Sequence, residues 1–246
     1  MDLISNLISS FDPSAPNFRP TELYNESWLI KIVLHQASLI DDQDCLISFL
    51  PKSTWFSEGL LPTAFKERFR GDKLSESRTN ADGVIGQIRI GQKAKADLEL
   101  VEDASQFTVV EAKVGAPLSA GTSNAIYFDQ DARNAACMAE VMARADIEPA
   151  SLDRLAFVVL APQYSIEKGT FVAEISPTSI QEKVKKRVDA YDGELDYWYV
   201  KYFEPTLNNI QIKSLSWESV LEWISVHQSD VTEQLRTYYD LCLQFK

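Results

Sequence analysis

The segment that most constrains this chain is a continuous apolar run, Leu152 to Pro162 (LDRLAFVVLAP). A strand with one wet face alternates apolar and polar residues, whereas an unbroken apolar run belongs to a strand covered on both faces. The run therefore predicts an interior strand with helices on either side of its sheet. Ahead of it, Asn124 to Ala145 reads as a helix rich in alanine (125, 132, 135, 136, 139, 143 and 145), small side chains that permit close approach to a sheet. Three strands are read before that helix: Gly83 to Ile90, Ala96 to Glu102 and Gln106 to Val114. The tight turn Asp103-Ala104-Ser105 joins the last two.

The helix opening this series is predicted from Thr21, a capping residue after Pro20, to about Ile40. Glu26, Leu29, Ile30, Val33, Ala37 and Ile40 share one of its faces. Residues 1–20 read as an arm, Pro-, Ser- and Asn-rich from Asp12 to Pro20, and a short basic helix is expected near Thr63 to Arg70. After the apolar strand come a charged helix, Ile175 to Tyr191, an alternating strand, Ile210 to Trp217, and helices near Glu218 to His227 and Asp230 to Gln244. Together these predict a single α/β domain over residues 21–246: a mixed central sheet flanked by helices, followed by a C-terminal strand and helices. Tyr197, Trp198, Tyr199, Tyr202 and Phe203 could stack on nucleobases, but aromatics at this density are expected to pack a subdomain.

Composition excludes several classes. With 246 residues and 45% hydrophobic content, the chain can bury a sizeable core. No apolar run reaches the ~18 residues of a membrane span, and Met1 to Ser10 lacks the basic start of a secretory signal, so a cytoplasmic protein is expected. Cys45, Cys137 and Cys242 are far apart and read as reduced thiols, and His35 and His227 alone exclude a multi-histidine metal site. The net charge of −12 argues against nonspecific nucleic-acid binding. Yet Lys52 to Lys95 holds nine Lys/Arg against five Asp/Glu, a net of +4 that leaves −16 for the rest. Lys66, Arg68, Arg70, Lys73, Arg78, Arg89, Lys93 and Lys95 make up most of that basic segment.

The chemistry-bearing motif lies at the end of the third strand. Glu111-Ala112-Lys113 is the one acidic-x-Lys triplet in the 246 residues. In an extended chain Glu111 and Lys113 emerge on one side while Val110 and Ala112 point away. A hairpin with the preceding run could bring Asp97, fourteen residues upstream, beside them. Two carboxylates and an ammonium suit a divalent-metal phosphodiesterase: the carboxylates offer hard oxygens to Mg²⁺, and the lysine positions or activates water. Glu26, at the start of its apolar stripe, is a further candidate ligand or a partner of the helix dipole. Tyr127, Gln130, Arg133 and Asn134 cluster at a helix start, where anions are favoured.

The order helix, three-strand meander, helix, strand, with Asp97 on the second strand and Glu111-x-Lys113 on the third, resembles the PD-(D/E)XK (restriction-endonuclease-like) superfamily over roughly residues 21–162. The string EAKVGAPLSAGTSNAIYFDQDARNAACMAEV, from Glu111 to Val141, is similar to uncharacterised bacterial proteins of that superfamily. The resemblance implies an αβββαβ core, with residues 163–246 as an extension. It also implies Mg²⁺ (or Mn²⁺) held by Asp97, Glu111, the Ala112 carbonyl and Glu26, with Lys113 handling water and Gln130 lining the site. The family's name includes a Pro before the first acid; here Ala96 occupies that position. The function so implied is a Mg²⁺-dependent nuclease acting on DNA. The rivals are a nuclease-like binding protein of a defence or repair system and a hydrolase of small phosphate esters. Oligomeric state is open, a homodimer included.

Overall fold

A computed structural model of the chain describes residues 19–76, 79–91, 97–121 and 125–246. Residues 1–18 of the expected arm, Arg78, Lys93, Lys95, Ala96 and the expected helix start at Asn124 lie outside the described residues. The architecture is mixed α/β, a five-stranded mixed sheet flanked by helices. Its elements are helix α1 (Glu26–Ala37), strands β1 (Thr54–Leu61), β2 (Thr79–Gly86), β3 (Ile88–Ile90), β4 (Leu98–Leu100) and β5 (Gln106–Ala112), helix α2 (Gln130–Ala145), strand β6 (Arg154–Ala161), helix α3 (Pro177–Asp189), strand β7 (Gln211–Ser216), and helices α4 (Trp217–His227) and α5 (Thr232–Gln244). Sheet order is β1-β2-β5-β6-β7, while β3 and β4 pair separately. β2 runs antiparallel to both of its neighbours, β1 and β5, and β6 and β7 run parallel to β5.

The apolar run behaves as its composition requires. β6 lies between β5 and β7, and all of its residues except Arg154 are buried. Its side chains alternate between two cores. Ala156, Val158 and Leu160 join Leu29, Ile30 and Leu34 of α1 and Trp217 and Ile224 of α4. Leu155, Phe157 and Val159 join Met138, Val141 and Met142 of α2. Each large apolar side chain so buried contributes about 1.5–3 kcal/mol, so the two helical layers over β5 and β6 hold the sheet.

Small size predicts that the alanines of α2 face the sheet, but most of them turn away from it. Ala132, Ala135, Ala136 and Ala139 pack against Ile180, Val184 and Val188 of α3 and the buried rings of Trp198, Tyr199 and Phe203. The larger residues of the helix take the sheet side, and the alanines make room for aromatic bulk on the other. That assigns the aromatic segment to the core; Tyr197 is its exposed member.

The meander departs from expectation in three places. First, β1 is a full strand that sequence pattern did not reveal, and no helix forms over Thr63 to Arg70. Second, β2 begins at Thr79, four residues earlier than expected, and Gly86 ends it. Third, Ile88–Ile90 and Leu98–Leu100 form a hairpin off the main sheet, inserted between its second and third strands. Helix starts also move. The cap of α1 is Asn25, whose side chain accepts from the Trp28 amide at 3.0 Å, because the turn Pro20–Leu23 breaks before it. Asp129 caps α2, accepting from the Ala132 amide at 3.3 Å, so that helix starts at Gln130. All three cysteines are free.

Candidate active site

Strand alternation sends Glu111 to the face covered by α2, where it is 1% exposed. A carboxylate with so little water needs partners, and the fold supplies four polar groups. Lys113 Nζ lies 2.8 Å from Glu111 Oε1. The Gln130 amide also donates to Oε1, and Asn134 Nδ2 lies 3.4 Å from Oε2. Gln130 and Asn134 are one turn apart on α2, so one helix face presents both amides to the strand end. Gln130 is itself held: Ser119 N donates to its Oε1 at 3.0 Å, and its own backbone amide donates to Ser119 O at 3.0 Å. The Lys113 backbone is pinned by Leu160 O and by the Trp217 indole, both at 2.8 Å.

The fourth group is Asp82. The ladder between β2 and β5 runs from Gly86↔Phe107 to Gly83↔Val110 and stops, which sets Asp82 across from Glu111 where the strands part. Asp82 Oδ2 accepts from the Ala112 amide at 2.8 Å. The next residue is glycine for a steric reason: a Cβ at Gly83 would lie 2.7 Å from Leu34 Cδ1 of α1. Glu26, first residue of α1, reaches the same place and accepts from the Val114 amide at 3.1 Å.

Burial and then the charge of Asp82 push the Glu111 carboxyl up to about 8, with Lys113 offsetting only part of this. Burial works against the Lys113 charge, yet Glu111, Asp82 and Glu26 outweigh it and raise its pKa. Glu26 is raised too, chiefly by burial. At neutral pH the Glu111 carboxyl therefore holds its proton, beside Asp82 and the Lys113 ammonium. Asp131, fully buried on α2 with neither oxygen hydrogen-bonded, is pushed up to about 7 by burial and then by Asp129.

Of the residues singled out in the sequence, Glu111, Lys113, Gln130, Glu26 and Ala112 come together. Asp97 does not. It bridges Leu60 on the outer edge of β1, with β1 and β2 between it and β5. Three strand spacings put it roughly 14 Å from Glu111. The unrecognised β1 takes the first place in the meander, which makes Asp82's strand the second and leaves Asp97 on the inserted hairpin. Asp82 was the residue missed; the visible signal was an acid followed by glycine, one position before the run Gly83-Val84-Ile85. Asn134 was grouped with phosphate contacts, but it and Gln130 turn onto the carboxylate. The i, i+4 spacing with Gln130 could have placed it there.

The basic segment is also partly spoken for. Arg68 Nε lies 2.8 Å from Asp72 Oδ2 and its guanidinium 4.2 Å from the Tyr191 ring centre, while Lys66 Nζ is 3.7 Å from Glu140. Among the described residues, no three His, Cys, Asp or Glu side chains are arranged to hold a metal ion, and no helix is long and apolar enough to cross a membrane. The donor chemistry nonetheless fits a hard cation. Mg²⁺ is commonly bound through one or two carboxylates and keeps several waters, and Asp82 and Glu111 are a crowded pair whose repulsion a divalent ion would relieve. No family model, curated protein or solved structure matches the chain.

Proposed function

We propose that the chain is a Mg²⁺-dependent phosphodiesterase of the PD-(D/E)XK type, acting on DNA. The observation that carries this reading is the meeting of Asp82 and Glu111 across the parted ends of neighbouring antiparallel strands, with Lys113 on Glu111. The order α1, β1, β2, β5, α2, β6 supports it, with Asp82 on the second strand of the meander and Glu111-x-Lys113 closing the third. Ala81 precedes the aspartate where the family's name has proline.

Asp82, Glu111 and the Ala112 carbonyl would hold the ion, with Glu26 at the margin. A bound divalent cation supplies Lewis-acid stabilisation of the scissile phosphate and a water of lowered pKa. Gln130 and Asn134 fix the rotamer of Glu111, so its oxygens need no reorganisation when charge develops. Lys113, held in the protonated form by three acids, offers a donor to the phosphate and a hydrogen bond that orients the attacking water.

The test is incubation of purified protein with plasmid and linear DNA in Mg²⁺, Mn²⁺ or EDTA. Wild type is expected to cleave in metal and not in EDTA; Asp82→Asn and Lys113→Ala lose cleavage, and Asp97→Asn keeps it. The net charge of −12 favours the rival, a binding protein on the same frame. Wild type that binds DNA and cleaves it in no metal would establish that rival.

A further inference from the structure

A cavity of about 570 Å³ opens directly beside the candidate site, between the start of α1 and the end of α5. Glu26 and Val114, whose side chain and amide join at the site, line it. Tyr24 and Phe245 line it too, with rings nearly parallel at 20° and centres 5.8 Å apart. Thr21 and the stem of Lys246 line the cavity as well. The volume falls in the usual range for small-molecule sites, about 300–1,000 Å³. Its composition, an aromatic stack together with a carboxylate, matches a flat heteroaromatic ring with an N–H donor at its edge.

We infer that this cavity receives the base of the nucleotide next to the scissile phosphate, stacked on the Tyr24–Phe245 pair with its edge toward Glu26. The inference rests on the phosphodiesterase reading for the identity of the ligand, because Glu26, at the margin of the proposed ion site, also lines the cavity. A base can enter only if it has left its own stack, which costs least in single strands and frayed ends. The substrate class is therefore DNA with an unpaired nucleotide at the cut. An aromatic platform of this kind tolerates every base and adds affinity without reading sequence.

The test uses thymidine 5′-monophosphate and deoxyribose 5-phosphate as probes of the full chain without metal, with binding followed by ligand-observed NMR. The nucleotide is expected to bind about 10–100-fold more tightly than the sugar phosphate, the range that one base–aromatic stack supports. Phe245→Ala and Thr21→Trp, the second filling the cavity from an exposed position, should each remove that preference, and Lys113→Ala should keep it. Equal binding of the two probes, or an unchanged preference in both cavity variants, overturns the inference. In metal, a single-stranded oligonucleotide abasic beside the cut should be cleaved about tenfold more slowly than the intact one. If wild type shows the binding pattern but cleaves no DNA, the cavity stands and the phosphodiesterase reading falls. If it cleaves intact and abasic strands alike and binds neither probe, the reading stands and the cavity inference falls.

Discussion

The two ends of β5 both bury polar side chains, and they do so in opposite ways. At the start, Gln106 is fully buried and satisfied: its Oε1 accepts from Leu50 N and Ser53 Oγ, both at 2.8 Å, and its Nε2 donates to Ser48 O at 2.8 Å. Gln87 continues the network, accepting from the Gln106 amide at 2.9 Å and donating to Pro51 O at 2.9 Å. These groups are neutral and matched donor to acceptor. At the other end Glu111 shares its place with Asp82, Glu26 and Lys113; Glu111 and Glu26 titrate above the ordinary glutamate value, and nearby Asp131 has two unpartnered oxygens. Matched neutral amides act as scaffold. Crowded acids held against their own repulsion are tolerated where a ligand or reaction uses the charge.

The sharpest way to break this contrast is catalytic. Lys113→Ala is expected to lower the Mg²⁺-dependent cleavage rate by about 10²–10⁴-fold, the usual contribution of a positioned acid–base group. Gln106→Ala, measured below its melting temperature, should leave the rate within about threefold, because the site end of the strand is held independently by Leu160 and Trp217. Steady-state cleavage of linear DNA decides it, and comparable losses in both variants would erase the distinction.

Stability should reverse the ranking. Gln106→Ala strands the Leu50 amide in the core while the Ser48 carbonyl keeps its bond from Arg154, so urea unfolding should show a loss of about 1–3 kcal/mol, the cost of one unpaired buried group. Metal provides the next contrast. Millimolar Mg²⁺ or Mn²⁺ should stabilise wild type by about 2–3 kcal/mol where the ion exceeds its dissociation constant a hundredfold. Binding should release close to one proton near pH 7, since the ion displaces the one held by Glu111. Calorimetry in two buffers reads the proton. Asp82→Asn should lose the stabilisation and Asp97→Asn retain it.

The last contrast is in pH dependence. The folded chain keeps a proton on Glu111 up to about pH 8, whereas the unfolded chain releases it near the ordinary glutamate value. The native state therefore binds more protons in this window, and its stability falls as pH rises from about 5 to about 8. Asp131, pushed up to about 7, contributes with the same sign over the lower part of that range. Glu111→Gln removes the titration, so its stability should fall less than that of wild type between pH 5 and pH 8. Chemical unfolding at pH 5, 6.5 and 8 measures the slope, and a wild-type profile flat across those points would contradict the crowded-acid description.

Much of this arrangement was legible in the residues because it depends on local pattern. Unbroken apolarity marked β6, alternation put Glu111 and Lys113 on one side of β5, and polar residues at the start of an alanine-rich segment flagged Gln130. The identity of the second acid was not legible. Asp97 lies fourteen residues before Glu111 in a segment that alternates like a strand, whereas Asp82 lies twenty-nine before it in Thr-Asn-Ala-Asp-Gly, a poor strand former. A reading based on propensity and proximity chooses Asp97.

What the sequence determined alone, then, is the strand–helix–strand frame from β5 through α2 to β6 and the pairing of one carboxylate with one lysine at its edge. Tertiary structure decided which aspartate joins them. β2 exists because β1 and β5 pair with both of its edges and because Gly83 lets Leu34 of α1 pack against it, interactions that come from distant parts of the chain. Strand register is set by such nonlocal pairing and by which faces cover the core. That pairing brings Asp82 across from Glu111 and leaves Asp97 on the far edge of the sheet.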